Sequence, residues 1–162
     1  MIGIIAFLIF IGQMFVTNYI SYHIMKNRVI DRREWDLNIC SGKTDGGALN
    51  VDIVKHTELP NFRKINNIYN LSYPDDHFEY VLSSHTIEHV EDPINFFNEL
   101  CRVGKNVKII VPPLWDISAA FNILEHKWVF LTFKTEHSTL PPFIKLPFAE
   151  KFQKIFGQKI RA

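Results

Sequence analysis

The stretch from Tyr73 to Pro93 limits the possible folds more than any other part of the chain, because it compresses a turn, a strand, a loop and a helix start into one run. Pro74 followed by Asp75 and Asp76 has turn chemistry: proline pre-sets φ, and short carboxylates hydrogen-bond their own backbone. Tyr80, Val81 and Leu82 form a short apolar run of strand formers. Pro93 suits the first position of a helix whose cap is Asp92. A loop at the carboxyl end of a buried strand is where open α/β sheets hold their ligands.

The flanking pattern extends that unit. Strands are expected at 35–40, 49–54, 65–69, 79–83 and 107–111, and a helix from Pro93 to about Arg102 places Phe96, Phe97, Leu100 and Val103 on one side. Strands separated by helices or long connections argue for a parallel sheet, so the predicted fold is α/β, Rossmann-like and mostly parallel. The links 41–48 and 55–64 are short for crossover helices, which predicts a thinned helical layer on that side. Beyond Leu114 the chain is aromatic and punctuated by prolines, with helical pieces expected at 117–125 and 147–156.

The amino terminus differs in kind. From Ile2 to Val16 only Gln13 is polar, and apolar character continues through Tyr19, Ile20, Tyr22, Ile24 and Met25. About 20 such residues suffice for a helix to cross the hydrocarbon core of a bilayer. A cleaved signal peptide would need a basic start and a small-residue cleavage site, and neither is visible. A buried helix of the domain would need a solvent face, which this segment lacks. Packing on a partner protein is the remaining alternative to a transmembrane helix, a membrane protein being one candidate partner. The preferred division is an anchor over 1–25, a basic connector over 26–34 and a domain over 35–162. Lys26, Arg28, Arg32 and Arg33 then place that domain in the cytoplasm by the positive-inside rule, as a single-pass membrane protein.

Composition narrows the classes. With 162 residues, 47% of them hydrophobic and 14 of them Phe, the chain can build one moderate core plus an appendage. A net charge of +1 gives no electrostatic case for a nucleic-acid partner. Cys40 and Cys101 stand far apart without a CxxC pattern, so neither a disulfide framework nor a zinc site is expected. Glu125, His126, Glu136 and His137 do not have metal-ligand spacing, and no metal is predicted.

The order Tyr-Pro-Asp-Asp, Phe78-Glu79, a hydrophobic strand, Ser84-His85-Thr86-Ile87-Glu88-His89 and Asp92-Pro93 resembles the central signature of the class I S-adenosylmethionine-dependent methyltransferases, specifically the methyltransferase type 11 group. The resemblance covers roughly Leu37 to Pro113. It implies S-adenosylmethionine as cofactor and assigns candidate positions. Leu37 to Lys43 sit where the family has its glycine-rich cofactor loop, with Ser41, Gly42 and Lys43 as candidate contacts. Such a loop needs small residues so that its backbone can approach the ligand. Asn38 stands at the family's acidic position and Cys40 at its first glycine. Asp52, followed by Ile53, resembles the ribose-binding acid, whose charge strengthens hydrogen bonds from both hydroxyls. Asn70 and Leu71 lie where the family reads the adenine edge. Ser84 and His85 would face the sulfonium and the acceptor, and Glu88 and His89 match a pair assigned to helix-start packing. No catalytic residue is assigned, because methyl transfer is mainly a positioning task. His85 would serve as a base only for an acceptor that must lose a proton. Trp115, Trp128, Phe130 and Phe133 either line an acceptor pocket or close the core. Compared with the family, little room remains for the two final strands of the sheet.

The leading functional reading is a membrane-anchored S-adenosylmethionine-dependent methyltransferase acting on a small-molecule, lipid-linked or protein acceptor. The alternative is a degenerate methyltransferase-fold module serving as a binding or assembly subunit of a membrane complex, favoured by Asn38, Cys40 and the shortened carboxyl end. No GxxxxGK[ST] phosphate loop is present, which argues against a different nucleotide.

Overall fold

The computed structural model describes residues 2–156, so Met1 of the expected anchor and residues 157–162 of the expected domain lie outside the described residues. Six strands form one sheet: β1 (Leu37–Ile39), β2 (Leu49–Asp52), β3 (Phe62–Lys64), β4 (Phe78–Ser84), β5 (Gly104–Ile110) and β7 (Glu136–His137). Their spatial order is β3-β2-β1-β4-β5-β7. The first five run parallel, and β7 pairs antiparallel with β5 through Ile109 opposite His137. The mostly parallel α/β architecture is thus as expected. One strand beyond the fifth joins the sheet, while β6 (Trp128–Phe130) and β8 (Phe143–Lys145) pair with each other as a separate antiparallel ribbon.

Side-chain alternation on the strands assigns the two faces. Val81 and Ile109 point toward α3 (Pro93–Val103), where Phe96, Leu100 and Val103 join Leu37, Ile39 and Val51 in the main core. Their neighbours Leu82 and Ile110 point the other way and pack against Val29, Ile30 and Trp35. Val29 and Ile30 belong to α2 (Lys26–Asp31), so residues expected to form a juxtamembrane connector instead cover the second face of the sheet. Arg33 lies over the Tyr80 ring at 4.2 Å and Arg32 pairs with Glu136, which ties the basic segment to the domain.

α3 starts as the sequence dictates: Asp92 accepts hydrogen bonds from the Ile94 and Asn95 amides, and Pro93 occupies the first turn. It runs straight into β5 without an intervening turn. Gly104 makes that junction possible, since a Cβ there would stand 2.3 Å from Val81.

The third strand falls at Phe62–Lys64 rather than 65–69. Asn67 accepts a hydrogen bond from the Tyr69 amide at 2.8 Å, an Asx turn that breaks the apolar run, while Ile65, Ile68 and Leu71 still pack onto the core as irregular chain. Among the described residues of the tail, helix is confined to α4 (Ile117–Ala120) and α5 (Ala149–Phe156). No helix links β1 to β2 or β2 to β3.

A long amino-terminal helix completes the structure. α1 (Ile2–Tyr19) continues through a π-helical turn at Ile20–Met25 into α2. By length and composition, Ile2–Asp31 contains a stretch apolar enough to cross a membrane, and no residue of α1 is buried.

Candidate functional site

The carboxyl ends of β1, β2, β4 and β5 open into one cleft of about 1190 Å³. β1 supplies Cys40 and Gly42, β2 supplies Asp52 and Ile53, β4 leads to His85, Thr86, Glu88 and His89, and β5 leads to Pro112. Asn122, Glu125 and His126 from the tail form the far wall. The edge of an open parallel sheet is where binding crevices are expected.

The β1 loop is built around left-handed backbone. Cys40 has φ of 53° and Gly42 has φ of 55°. A glycine takes this conformation freely, whereas an L-residue such as Cys40 pays about 1–2 kcal/mol. The Cys40 thiol is pushed up by burial and by the neighbouring Asp52 charge, against a hydrogen bond with Thr86, so it stays protonated. Asp52 is buried, and its Oδ2 accepts the Gly42 amide hydrogen bond at 2.9 Å, with Val54 donating to Oδ1 at 3.3 Å. One carboxylate therefore couples the ends of two adjacent strands.

Asn38 plays a different part from that of a cofactor ligand. Its Nδ2 donates to the Thr44 carbonyl and to Asn50 Oδ1, both at 2.9 Å, and Asn50 Nδ2 donates in turn to Asp45, Gly47 and Pro60. This buried amide pair holds the 41–48 link in place of a crossover helix.

The predicted site residues divide into two groups. Gly42, Asp52, Ile53 and His85 line the cleft. Ser41, Lys43, Asn70, Leu71 and Ser84 do not. Ser41 is buried behind the loop and Lys43 is exposed to solvent. Asn70 is also exposed, and the Leu71 amide that was expected to read a ring edge is committed to Glu99 Oε1 at 2.6 Å. Glu99 is locked by Arg102, which also donates to the Tyr73 and Leu71 carbonyls, so this segment is a structural brace. None of Trp115, Trp128, Phe130 and Phe133 lines the cleft. Trp128 and Phe130 close the main core, and Trp115 donates to the Phe133 carbonyl.

Two contributions escaped sequence reasoning. The first is the roof: Ile11, Met14, Phe15, Asn18, Tyr22 and His23 of the amino-terminal helix line the cleft. Asp116, fully buried as the cap of α4, accepts hydrogen bonds from Asn18 Nδ2 at 3.3 Å and from Ser21 Oγ, which fastens the helix there. The Tyr22 and His85 rings stand 5.0 Å apart. A Thr17-Asn18-Ser21 stripe in an otherwise apolar helix was the visible signal.

The second is a cluster at the β4 end. Glu88 and His89 sit in a turn before α3 rather than packing its start, and they meet His126 from the tail. Burial acts to raise the Glu88 carboxyl, but the His85 imidazole 3.4 Å away and the fields of His89 and His126 outweigh it and hold it at about 2. Burial lowers the His126 imidazole to about 4 against the pull of Glu88. At neutral pH the cluster therefore contains an ionised carboxylate beside a neutral imidazole. An adjacent Glu-His pair was legible in the sequence, but its third member is 37 residues further on.

Residues 48–111 match the family model described as a methyltransferase domain. That match implies S-adenosylmethionine as the cofactor, in line with the class I methyltransferase resemblance. Similar solved structures include a Haloferax volcanii methyltransferase in complex with its Trm112 activator (16% identity, TM-score 0.43, 62% of this chain and 56% of that one). An S-adenosylmethionine-dependent methyltransferase from Thermotoga maritima shows 18% identity and a TM-score of 0.46 over 67% of this chain and 59% of that one. The YcgJ protein of Bacillus subtilis shows 19% identity and a TM-score of 0.46, over 65% and 61%. The chain spans about three fifths of the length of these proteins. No curated protein matches.

Proposed function

We propose that the chain, whose residues 48–111 carry the methyltransferase-domain match, is a membrane-attached S-adenosylmethionine-dependent methyltransferase whose 35–162 region binds the cofactor in the cleft at the sheet edge. The observation that carries this reading is the coupling of Gly42 and Asp52 across two strand ends, on the cleft shared with His85. Each Asp52 oxygen accepts one backbone hydrogen bond and retains capacity for a ribose hydroxyl. The cleft volume is ample for a ligand of this size. S-adenosylmethionine supplies an electrophilic methyl group when bound. The residues of the chain supply placement: Gly42 and Asp52 hold the nucleoside end, the half-buried Ile11 and Met14 cover the cleft from above, and His85 stands where it can take a proton from the acceptor.

Attachment to a membrane is supported by α1, in which Ile2, Ile4, Phe7, Leu8 and Ile9 are all more than 60% exposed. The finer reading is a single-pass anchor with the domain on the cytoplasmic side, and its acceptor is then a molecule presented at the membrane surface. Calorimetry on the purified full chain with S-adenosylhomocysteine tests the cofactor site. A folded chain that binds none would favour the second reading, an assembly subunit of methyltransferase fold. That reading draws on a specific feature, the Cys40 side chain in the cleft at the family's first glycine position.

A further inference from the structure

We propose that Glu88, His89 and His126 form a binding site for a divalent first-row transition metal ion, with zinc as the representative case. Each side chain offers one ligand atom, and these atoms lie within 4.8 Å of one another. Zinc bonds to imidazole nitrogen and carboxylate oxygen are about 2.0–2.2 Å long, so ligands around one ion stand about 3–4 Å apart. Small side-chain rotations cover the difference. Two imidazoles and a carboxylate are a donor set that suits such ions and disfavours magnesium or calcium, which take oxygen ligands.

The three groups are kept free of competing partners. Glu88 is 1% exposed and His126 is 6% exposed, yet both Glu88 oxygens and His126 Nδ1 lack a hydrogen-bond partner in the protein. His126 Nδ1 is buried with no donor or acceptor of the protein against it, which leaves it available to a metal ion. His89 Nδ1 lies 2.9 Å from the Glu125 carbonyl oxygen. A carbonyl only accepts, so Nδ1 carries a proton and Nε2 is the ring nitrogen left for a metal ion. Metal-bound histidines almost always donate their other N–H in this way. His85 Nδ1, 3.4 Å from Glu88 Oε1, orients the carboxylate.

Charge points the same way. Among the described residues no Lys or Arg pairs with Glu88, and a buried carboxyl group with neither a cation nor a protein donor is costly. A purely structural polar cluster would satisfy those oxygens with protein donors; a divalent cation satisfies them and supplies the missing positive charge. All three residues line the cleft, so positions not filled by protein open onto it, as in metal sites with three protein ligands and a fourth open position. In the methyltransferase reading, on which only this last step rests, the open position takes an oxygen of the methyl acceptor.

The full chain, purified in detergent and stripped with a chelator, is titrated with Zn²⁺ by calorimetry and with Co²⁺ by visible absorption. One ion per chain is expected. His89→Asn and His126→Asn should each weaken Zn²⁺ binding by at least about 100-fold, the upper end of what loss of a mere supporting group costs. His56→Asn, at an exposed histidine on the same cleft, should leave it unchanged. X-ray absorption of the zinc form of the unaltered chain should show two imidazoles, and this measurement stands even where a variant does not fold. The site is overturned by a folded chain that binds no zinc, by a spectrum with sulfur or a single imidazole, or by binding that depends on His56 and not on His126. None of these readouts involves the cofactor, so failure of the metal site and failure of cofactor binding are separate results.

Discussion

Replacing Asp52 with asparagine isolates charge from shape at the centre of the proposed cofactor site. The amide keeps the side-chain volume in a position only 5% exposed, and its remaining oxygen can still accept the Gly42 amide bond now made at 2.9 Å. What it loses is a negative charge and the acceptor capacity of the second oxygen. Hydrogen bonds to charged groups contribute about 1.5–3 kcal/mol, against about 0.5–1.5 kcal/mol for neutral ones. For a carboxylate that holds a ribose diol, the difference is about 1–2 kcal/mol, or about 5- to 30-fold in affinity. Calorimetry with S-adenosylhomocysteine reads it directly, and a thermal melt of the unliganded variant checks that the loop has not collapsed. The sharper control is Asp52→Glu, which keeps the charge but moves it about 1.5 Å further out. If Asp52→Asn bound as tightly as the unaltered chain while retaining its melting temperature, the ribose assignment would be refuted, and the Asp52–Gly42 bond would be only a loop clamp.

Other outcomes follow from the same geometry. Cys40→Gly should tighten cofactor binding by returning clearance to the loop, with stability changed by less than about 1 kcal/mol, because released left-handed strain is offset by the entropy glycine adds to the unfolded chain; weaker binding would count against Cys40 as an obstruction. Glu99 is held below its ordinary value of 4.5, since hydrogen bonds from Arg102 and the Leu71 amide, with the Arg102 charge, outweigh the opposing effect of burial. Its contribution is therefore complete above pH 4.5 and is lost as pH falls through the lower folded value. Glu99→Gln should cost about 1–3 kcal/mol near neutral pH and flatten that acid limb in urea titrations; an unchanged limb would assign the acid sensitivity elsewhere. Ile5→Glu with Leu8→Glu, two exposed positions of α1 outside the cleft lining, should abolish flotation with anionic liposomes while preserving the fold by circular dichroism. Continued flotation of the double variant would remove α1 as the attachment.

Legibility tracked how local the determining physics is. Asp92-Pro93 and the Phe96, Leu100, Val103 stripe announce α3 because capping and helical periodicity act within a few residues. Val81 and Leu82 announce β4 because a buried parallel strand reads as an apolar run. Gly42 and Asp52 were legible as a pair because strand ends in a parallel sheet converge. Failures occurred where a distant partner decides the role. Asn38 looks like a damaged cofactor residue until its bond to Asn50 shows it replacing a helix. Leu71 looks available until Glu99, 28 positions away, takes its amide. His126 looks isolated along the chain because Glu88 and His89 reach it only by tertiary folding.

The amino-terminal helix carries the largest mechanical consequence. Crossing a bilayer core of about 30 Å takes about 20 residues of helix at about 1.5 Å each, and a span drawn from the anchor proposed at 1–25 includes residues that line the cleft. While Ile11, Met14, Phe15 and Tyr22 remain on the cleft, that face of the helix is turned to the site and not to lipid. In the proposed single-pass form, Ile11 to Phe15 must withdraw into lipid, and the hydrogen bonds from Asn18 and Ser21 to Asp116 are the ties that have to break. Those bonds sit beside polar residues of an otherwise apolar segment, where interfacial water can replace them at little net cost. Membrane insertion and closure of the cleft therefore draw on the same helix face. In the proposed membrane-attached form, the packed helix covers the site with Ile11 and Met14, and insertion would uncover it at the membrane surface, within reach of an acceptor held in the bilayer.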